Sequence, residues 1–154
     1  MKRALTLATI VLTACTPGGV TPVQSAGASA PSVVTVDVSL SAFALQQLVP
    51  GPALGFSPEV TTVSVGTGIQ FRNVDNTAHT ASFVGGTTFP NSSPLQFSAT
   101  SPSANTTISS GNWSSGSLQP GVTSQIFLVD KPGMYLYGCF YHYGGMMRAE
   151  IIAQ

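Results

Sequence analysis

Along residues 33–40 apolar and polar positions alternate, with Val34, Val36, Val38 and Leu40 on one side and Thr35, Asp37 and Ser39 on the other. This is the period-two pattern of a strand with one buried face. Short apolar runs recur over 60–65, 69–74, 80–84, 123–129, 133–137 and 148–153, separated by clusters of Gly, Pro, Asn or Asp. The first two flank Gly66-Thr67-Gly68, which predicts two strands around a tight turn. Residues 87–116 are rich in Ser, Thr, Asn and Pro, with scattered Phe89, Leu95, Phe97, Ile108 and Trp113, and have room for one or two edge strands. Residues 43–54 read as an irregular insert, because any helical turn begun at Ala44 is stopped by Pro50-Gly51-Pro52. About eight short strands with turn residues between them predict an all-β, Greek-key sandwich.

The first residues follow a different pattern. Met1-Lys2-Arg3 and the apolar run 4–14 have the charged start and short greasy core of an export signal, too short to span a bilayer. That run ends in Leu12-Thr13-Ala14-Cys15, which resembles a bacterial lipobox, so cleavage before Cys15 and lipidation of its thiol are expected. The predicted organisation is a signal peptide over 1–14, a lipidated Cys15 with an uncharged Gly/Pro/Ala/Ser/Thr linker over 15–32, and one domain over 33–154. The expected location is the cell envelope, facing the periplasm or the exterior. Cys15 and Cys139 are the two cysteines of the chain, and lipid on one and metal on the other would leave no disulfide to form.

Charged residues make up 6% of the 154. Beyond residue 14 the cations are Arg72, Lys131 and Arg148 against the acids Asp37, Glu59, Asp75, Asp130 and Glu150, a net charge of −2. No basic patch is available to meet phosphates, which argues against a nucleic-acid partner. Triplets of the form Asn-x-Ser/Thr begin at Asn91, Asn105 and Asn112, and behind a lipobox they read as accidents of a Ser/Thr-rich stretch.

The candidate chemistry is concentrated near the C-terminus, in Tyr137-Gly138-Cys139-Phe140-Tyr141-His142-Tyr143-Gly144-Gly145-Met146-Met147. A thiol, an imidazole and two thioethers share one turn between two strands, with Gly144 and Gly145 permitting a sharp reversal. A blue-copper centre uses two imidazoles and a thiolate in a trigonal plane with a weak thioether on the axis. Cys139, His142 and one of Met146 or Met147 supply three of those donors. The fourth must come from His79, the other histidine of the chain, at the mouth of the predicted strand 80–84. Taken singly, a cysteine is often a small buried hydrophobe and a histidine a surface residue. Taken together, these three fall at the positions that the family resemblance described next requires.

The sequence also resembles the cupredoxins, most closely the plastocyanin, amicyanin and pseudoazurin group. The shared features are Phe56, Pro58, Val60 and Val63, the stretch 66–71, then Asn73, Asp75 and His79-Thr80, the Gly-x-Leu-x-Pro-Gly run over 116–121, and Tyr135, Tyr137, Cys139, His142 and Met147 in the final loop. The likeness covers roughly residues 33–152. It implies a type 1 copper ion held by His79, Cys139, His142 and Met147, the spacing His-x-x-x-x-Met selecting Met147 over Met146. Adjacent strand residues face opposite ways, so only one of the two can serve. Thr80 stands where many members carry an Asn that ties the ligand loops together, and its hydroxyl has a shorter reach. Asn73 and Asp75 read as turn formers, Phe71, Tyr135 and Tyr137 as core aromatics, and Phe140, Tyr141 and Tyr143 either as the border of an apolar docking face or as ordinary packing residues.

The function so implied is one-electron transfer between redox partner proteins of an electron-transport chain outside the cytoplasm, without a small-molecule substrate. Four protein donors leave no open position of the kind a catalytic metal needs, so the chain is read as no enzyme. A copper-carrying or copper-buffering protein would use a similar ligand set. A Cys139–His142 nucleophilic enzyme is a third possibility, disfavoured because no Asn or Gln near the pair offers an oxyanion donor and His79 would be idle.

Overall fold

The computed structural model describes residues 31–40, 55–145 and 147–154. The expected signal 1–14, the lipidation site Cys15, most of the linker 15–32, the insert 43–54 and Met146 lie outside the described residues.

The described residues form eight strands: β1 Val33–Val38, β2 Phe56–Ser57, β3 Val60–Val63, β4 Gly68–Asn73, β5 Ser82–Phe83, β6 Phe127–Leu128, β7 Gly133–Gly138 and β8 Arg148–Ala153. They form two four-stranded sheets, β2-β1-β4-β6 and β3-β8-β7-β5, the all-β Greek-key sandwich that the alternation predicts. The alternation in β1 does what period two demands: Val36 and Val38 are buried, and Val34 and Leu40 pack against the same core. Phe71 stands at the middle of that core, stacked on Trp113 with centroids 5.8 Å apart and tilted against Tyr137 and Phe127 at 5.3 and 5.9 Å. Aromatic pairs at these separations add to the stability that burial alone gives. Phe71 and Tyr137 are thus core residues as expected, with Tyr135 packed against the core's edge.

The pairing around residues 66–68 differs from expectation. β3 and β4 lie in different sheets, β3 parallel to β8 and β4 parallel to β1. The intervening turn is a crossover: Val65 N–H donates to Gln154 O at the end of one sheet, and Gly66 N–H donates to Val129 O beside the other. Gly66 has φ +93°, which a side-chain-bearing residue rarely adopts. Local alternation reports which face is buried and says nothing about which strand lies alongside.

Residues 87–116 form no named strand. They carry 3-10 turns at Phe97–Thr100 and Ile108–Ser110, and isolated bridges such as Pro102↔Ser115 and Ser82↔Ser114. The prolines have no N–H to give a ladder, and serine hydroxyls take ladder positions instead: Ser103 Oγ accepts from Ser114 N–H at 3.0 Å and donates to Asn105 O at 2.7 Å. The same substitution shortens β6, since Ser124 Oγ accepts the Phe71 N–H at 2.9 Å in place of a backbone carbonyl. The expected strand 80–84 likewise pairs regularly only over Ser82–Phe83.

One ionic anchor in this segment yields a pH prediction. Asp130 accepts from Ser109 N–H at 3.0 Å and from the Ser109 hydroxyl, pinning the turn that buries Ile108. The Ser109 hydroxyl is the main reason the Asp130 carboxyl titrates below its usual range. A depressed folded-state pKa means stabilisation that is present above the unfolded carboxylate value of about 3.9 and is lost as pH falls through the lower, folded value. Asp130→Ala should therefore cost about 1 kcal/mol at neutral pH. In urea titrations the gap between variant and wild type should close as pH drops below about 4; a gap independent of pH would contradict this assignment.

Candidate metal centre

The pairing of β7 with β8, from Gly133↔Ala153 to Gly138↔Arg148, makes residues 139–147 the loop that closes one end of a sheet. The loop is folded by its own backbone. His142 N–H donates to Cys139 O at 3.3 Å, Gly145 N–H to His142 O at 2.9 Å, and Cys139 N–H to Met147 O at 3.1 Å. The last bond sets the first and last residues of the loop side by side. β5 pairs with β7 through Ser82↔Gly138, which carries the preceding residues 79–81 alongside Cys139.

His79 arrives on a turn organised by Asn73. The Asn73 amide donates to Thr77 O at 2.7 Å and to Leu118 O at 2.8 Å, while its Oδ1 accepts from Asp75 N–H at 2.9 Å. His79 is then fixed by a two-way backbone exchange with Leu118, at 3.1 and 2.7 Å. Asn73 is the turn former that its position suggested.

Three donors converge. Cys139 Sγ lies 3.8 Å from His79 Nδ1 and 3.4 Å from His142 Nδ1, and the three ligand atoms fall within 4.8 Å of one another. Metal–nitrogen bonds of about 2.0 Å and metal–sulfur bonds of about 2.3 Å, at angles near 120°, would set sulfur and nitrogen about 3.7 Å apart. The observed spacing fits a trigonal site of two nitrogens and one sulfur. His79 and Cys139 are fully buried and His142 half-buried, so one imidazole edge reaches the surface. Met147 is also fully buried and belongs to the same core cluster as Cys139. Its side chain packs on Gly55, where an added Cβ would come within 2.6 Å of Met147 Cγ and 3.0 Å of Sδ.

Thr80 joins the two ligand segments in two ways. Its N–H donates to Cys139 Sγ at 3.3 Å, and its Oγ1 accepts from Phe140 N–H at 2.8 Å. The short hydroxyl thus joins the two ligand segments despite its shorter reach, and does so as an acceptor. Burial pushes the Cys139 thiol up, against N–H groups from Thr80, Tyr141 and His142 that favour the thiolate. Burial lowers both imidazoles, so each favours its neutral, metal-ligating form. His142 is lowered further by the charge His79 would carry.

Asp75 does more than the sequence suggested. Its Oδ2 lies 3.1 Å from His79 Nε2, and it also accepts from the backbone N–H of Leu40 and, through Oδ1, of Asn76 at 2.7 Å. Burial alone would raise this carboxyl, but the Asn76 and Leu40 N–H groups and the His79 imidazole outweigh it and hold it below the ordinary range. A carboxylate on Nε2 places the ring proton there and leaves the Nδ1 lone pair aimed at the sulfur side.

Of the loop aromatics, Tyr141 is 44% exposed, and Phe140 lies against Phe97 of the 87–116 segment, itself 85% exposed. Tyr143 does not border a docking face. It is 1% exposed, turned inward beneath Arg148.

No family model matches the sequence, and no curated protein matches it. Among solved structures the chain is similar to the purple cupredoxin from Nitrosopumilus maritimus, at 16% identity and a TM-score of 0.51, over 78% of this chain and 98% of that one. It is also matched to a mutant plastocyanin of fern, at 19% identity and a TM-score of 0.48 over 79% of this chain and all of that one. A reduced amicyanin mutant matches at 15% identity and a TM-score of 0.47, over 79% and 82% of the two chains. The likeness to the purple cupredoxin, taken with the two four-stranded sheets found here, concerns the fold alone: this chain has the cupredoxin fold.

Proposed function

We propose that the chain would hold one copper ion through His79 Nδ1, Cys139 Sγ, His142 Nδ1 and Met147 Sδ, and that it carries single electrons between redox proteins outside the cytoplasm. The observation that carries this reading is the buried thiol placed 3.4 and 3.8 Å from two imidazole nitrogens. Copper would supply the one-electron couple. The protein supplies the rest: Asp75 orients His79, the Thr80 N–H meets the sulfur, and Met147 is confined by the core. A frame fixed in this way keeps the donors in one arrangement for both oxidation states. Four protein donors leave no place for a substrate, which supports a carrier over a catalyst. His142 is the donor nearest solvent, so the partner is expected to approach the loop side, next to Tyr141. Export, and a lipid on Cys15 that confines the domain to a membrane surface, complete the reading.

The test is titration of the purified chain with Cu(II), followed by visible absorption, beside Cys139→Ala. An intense thiolate-to-copper band that saturates at one equivalent, vanishes in the variant and bleaches reversibly with a mild reductant is the expected result. A colourless complex unaffected by the substitution would remove the thiolate from the site and move the protein into the class of copper carriers or buffers.

A further inference from the structure

The loop 139–147 has two adjacent glycines at its tip, and a Cβ built on Gly144 would meet nothing within 4 Å. Left to itself such a loop would sample many conformations, and each would have to be given up when His142 and Met147 close on an ion. The residue between them, Tyr143, is held on every side. Its ring lies beneath the Arg148 guanidinium at 4.2 Å from the centroid, and Arg148 Nε donates to Tyr143 O at 3.4 Å. The same guanidinium stands 6.0 Å from the Phe89 ring. Tyr143 Oη donates to Pro90 O at 3.1 Å. Underneath, the ring packs on Gly138 so closely that a Cβ there would come within 2.8 Å of Tyr143 Cδ2 and 3.1 Å of Met147 O.

Two further contacts reach the loop from the same long segment. Phe97 sets its ring against Phe140 at 5.8 Å, and Tyr141 Oη donates to Ser117 Oγ at 3.0 Å. Residues 140, 141 and 143 are therefore each gripped by the stretch between Phe89 and Ser117, for which the electron-carrier reading has no role.

We propose that this stretch is a clasp that sets the ligand loop in its binding conformation before metal arrives, with Tyr143 as the positioning residue through which it acts. Tyr143 is not one of the four proposed donors. It fixes the backbone on which His142 and Met147 ride, through the Pro90 bond above and the Gly138 seat below. The clasp as such concerns the metal-free chain, while its consequence for metal retention rests on the copper reading.

The test uses the full chain carrying Tyr143→Phe, which removes the Pro90 bond and keeps the ring, beside Tyr143→Leu, which removes the ring as well. In the metal-free protein, hydrogen exchange at the His142, Gly145 and Met147 amides should quicken about fivefold in Tyr143→Phe, the factor one ordinary net hydrogen bond supplies, and by more than about tenfold in Tyr143→Leu. Exchange in β1 and β4 should stay at wild-type rates. Copper release to a strong chelator should accelerate by similar factors. Unchanged loop exchange in Tyr143→Phe overturns the clasp, and so does a uniform rise that includes β1 and β4, since that would make Tyr143 a general stabiliser. Failure of the wild-type chain to bind copper would defeat the metal reading and leave the exchange result standing as the measure of the clasp.

Discussion

Replacing Asp75 by alanine should destabilise the folded chain by about 3 kcal/mol and weaken copper binding by about 10- to 100-fold, the usual range for loss of a carboxylate behind a metal-ligating histidine. The Asp75 side chain is 5% exposed and accepts three hydrogen bonds, from Leu40 N–H, Asn76 N–H and His79 Nε2. The Asn76 N–H lies where water can replace the carboxylate, but the fully buried His79 ring nitrogen and the Leu40 N–H have no other partner among the described residues. Each buried donor left unpaired costs about 1–3 kcal/mol. Asp75→Asn is the informative control: its carbonyl oxygen can still accept from His79, so it should cost about 1 kcal/mol and keep most of the copper affinity. Urea unfolding of the metal-free variants gives the first quantity and competition with a chelator the second. If Asp75→Ala were no less stable than Asp75→Asn, the carboxylate would not be satisfying these donors in solution.

The position of Asp75 also shows what the sequence makes legible. Cys139, His142 and Met147 fall in one loop, so their spacing alone suggests a site, and the need for a second imidazole points to His79. The strand β1 is legible because Val36 and Val38 alternate with polar neighbours over enough residues to show a period. Asp75 and His79 are four apart in a turn, where no periodicity tells which way either points. Their contact follows from Asn73 bonding Thr77 O and Leu118 O, and one of those partners is 45 residues away. The 87–116 segment hides its structure for a related reason. Its order comes from serine hydroxyls that reach across the chain, as Ser82 and Ser114 do at 2.7 Å, and such bonds leave no local pattern. Tyr143 is not read as buried from the sequence because a loop aromatic beside glycines looks solvent-facing, while its partners, Arg148 and Pro90, come from elsewhere in the chain.

The site is thereby knit from both sheets. Leu40, just past the end of β1, and Gly55, just before β2, belong to one; the loop 139–147 closes the other; and residues 75–80 cross between them. Local loosening of any one segment is opposed by the remaining three, which is how a small sandwich would keep the four proposed donors from relaxing apart.

Gly55 is where that knitting is tightest, and Gly55→Ala should cost about 3 kcal/mol in the metal-free chain, the sum of two effects. Part of the loss is backbone strain, because Gly55 has φ +108° and a residue with a side chain is held there at about 1–3 kcal/mol. The remainder comes from overpacking: the new methyl would sit 2.6 Å from Met147 Cγ and 2.7 Å from its Cε, and Met147 is fully buried with little freedom to retreat. Crowding of this sort in a packed core costs about 1–3 kcal/mol. The two parts separate in a double-mutant cycle. Met147→Ala opens the space the methyl needs, so Gly55→Ala made in that background should cost only the strain, and the two substitutions should couple favourably by about 1–2 kcal/mol. In the copper-loaded protein the single variant Gly55→Ala should also alter the thiolate-to-copper band as Met147→Ala does, because both would displace the thioether that the proposed site uses. Additive losses in the cycle would mean that Met147 does not rest on Gly55 in the metal-free chain, and a band unchanged by Gly55→Ala would mean that the thioether is not one of the metal's donors.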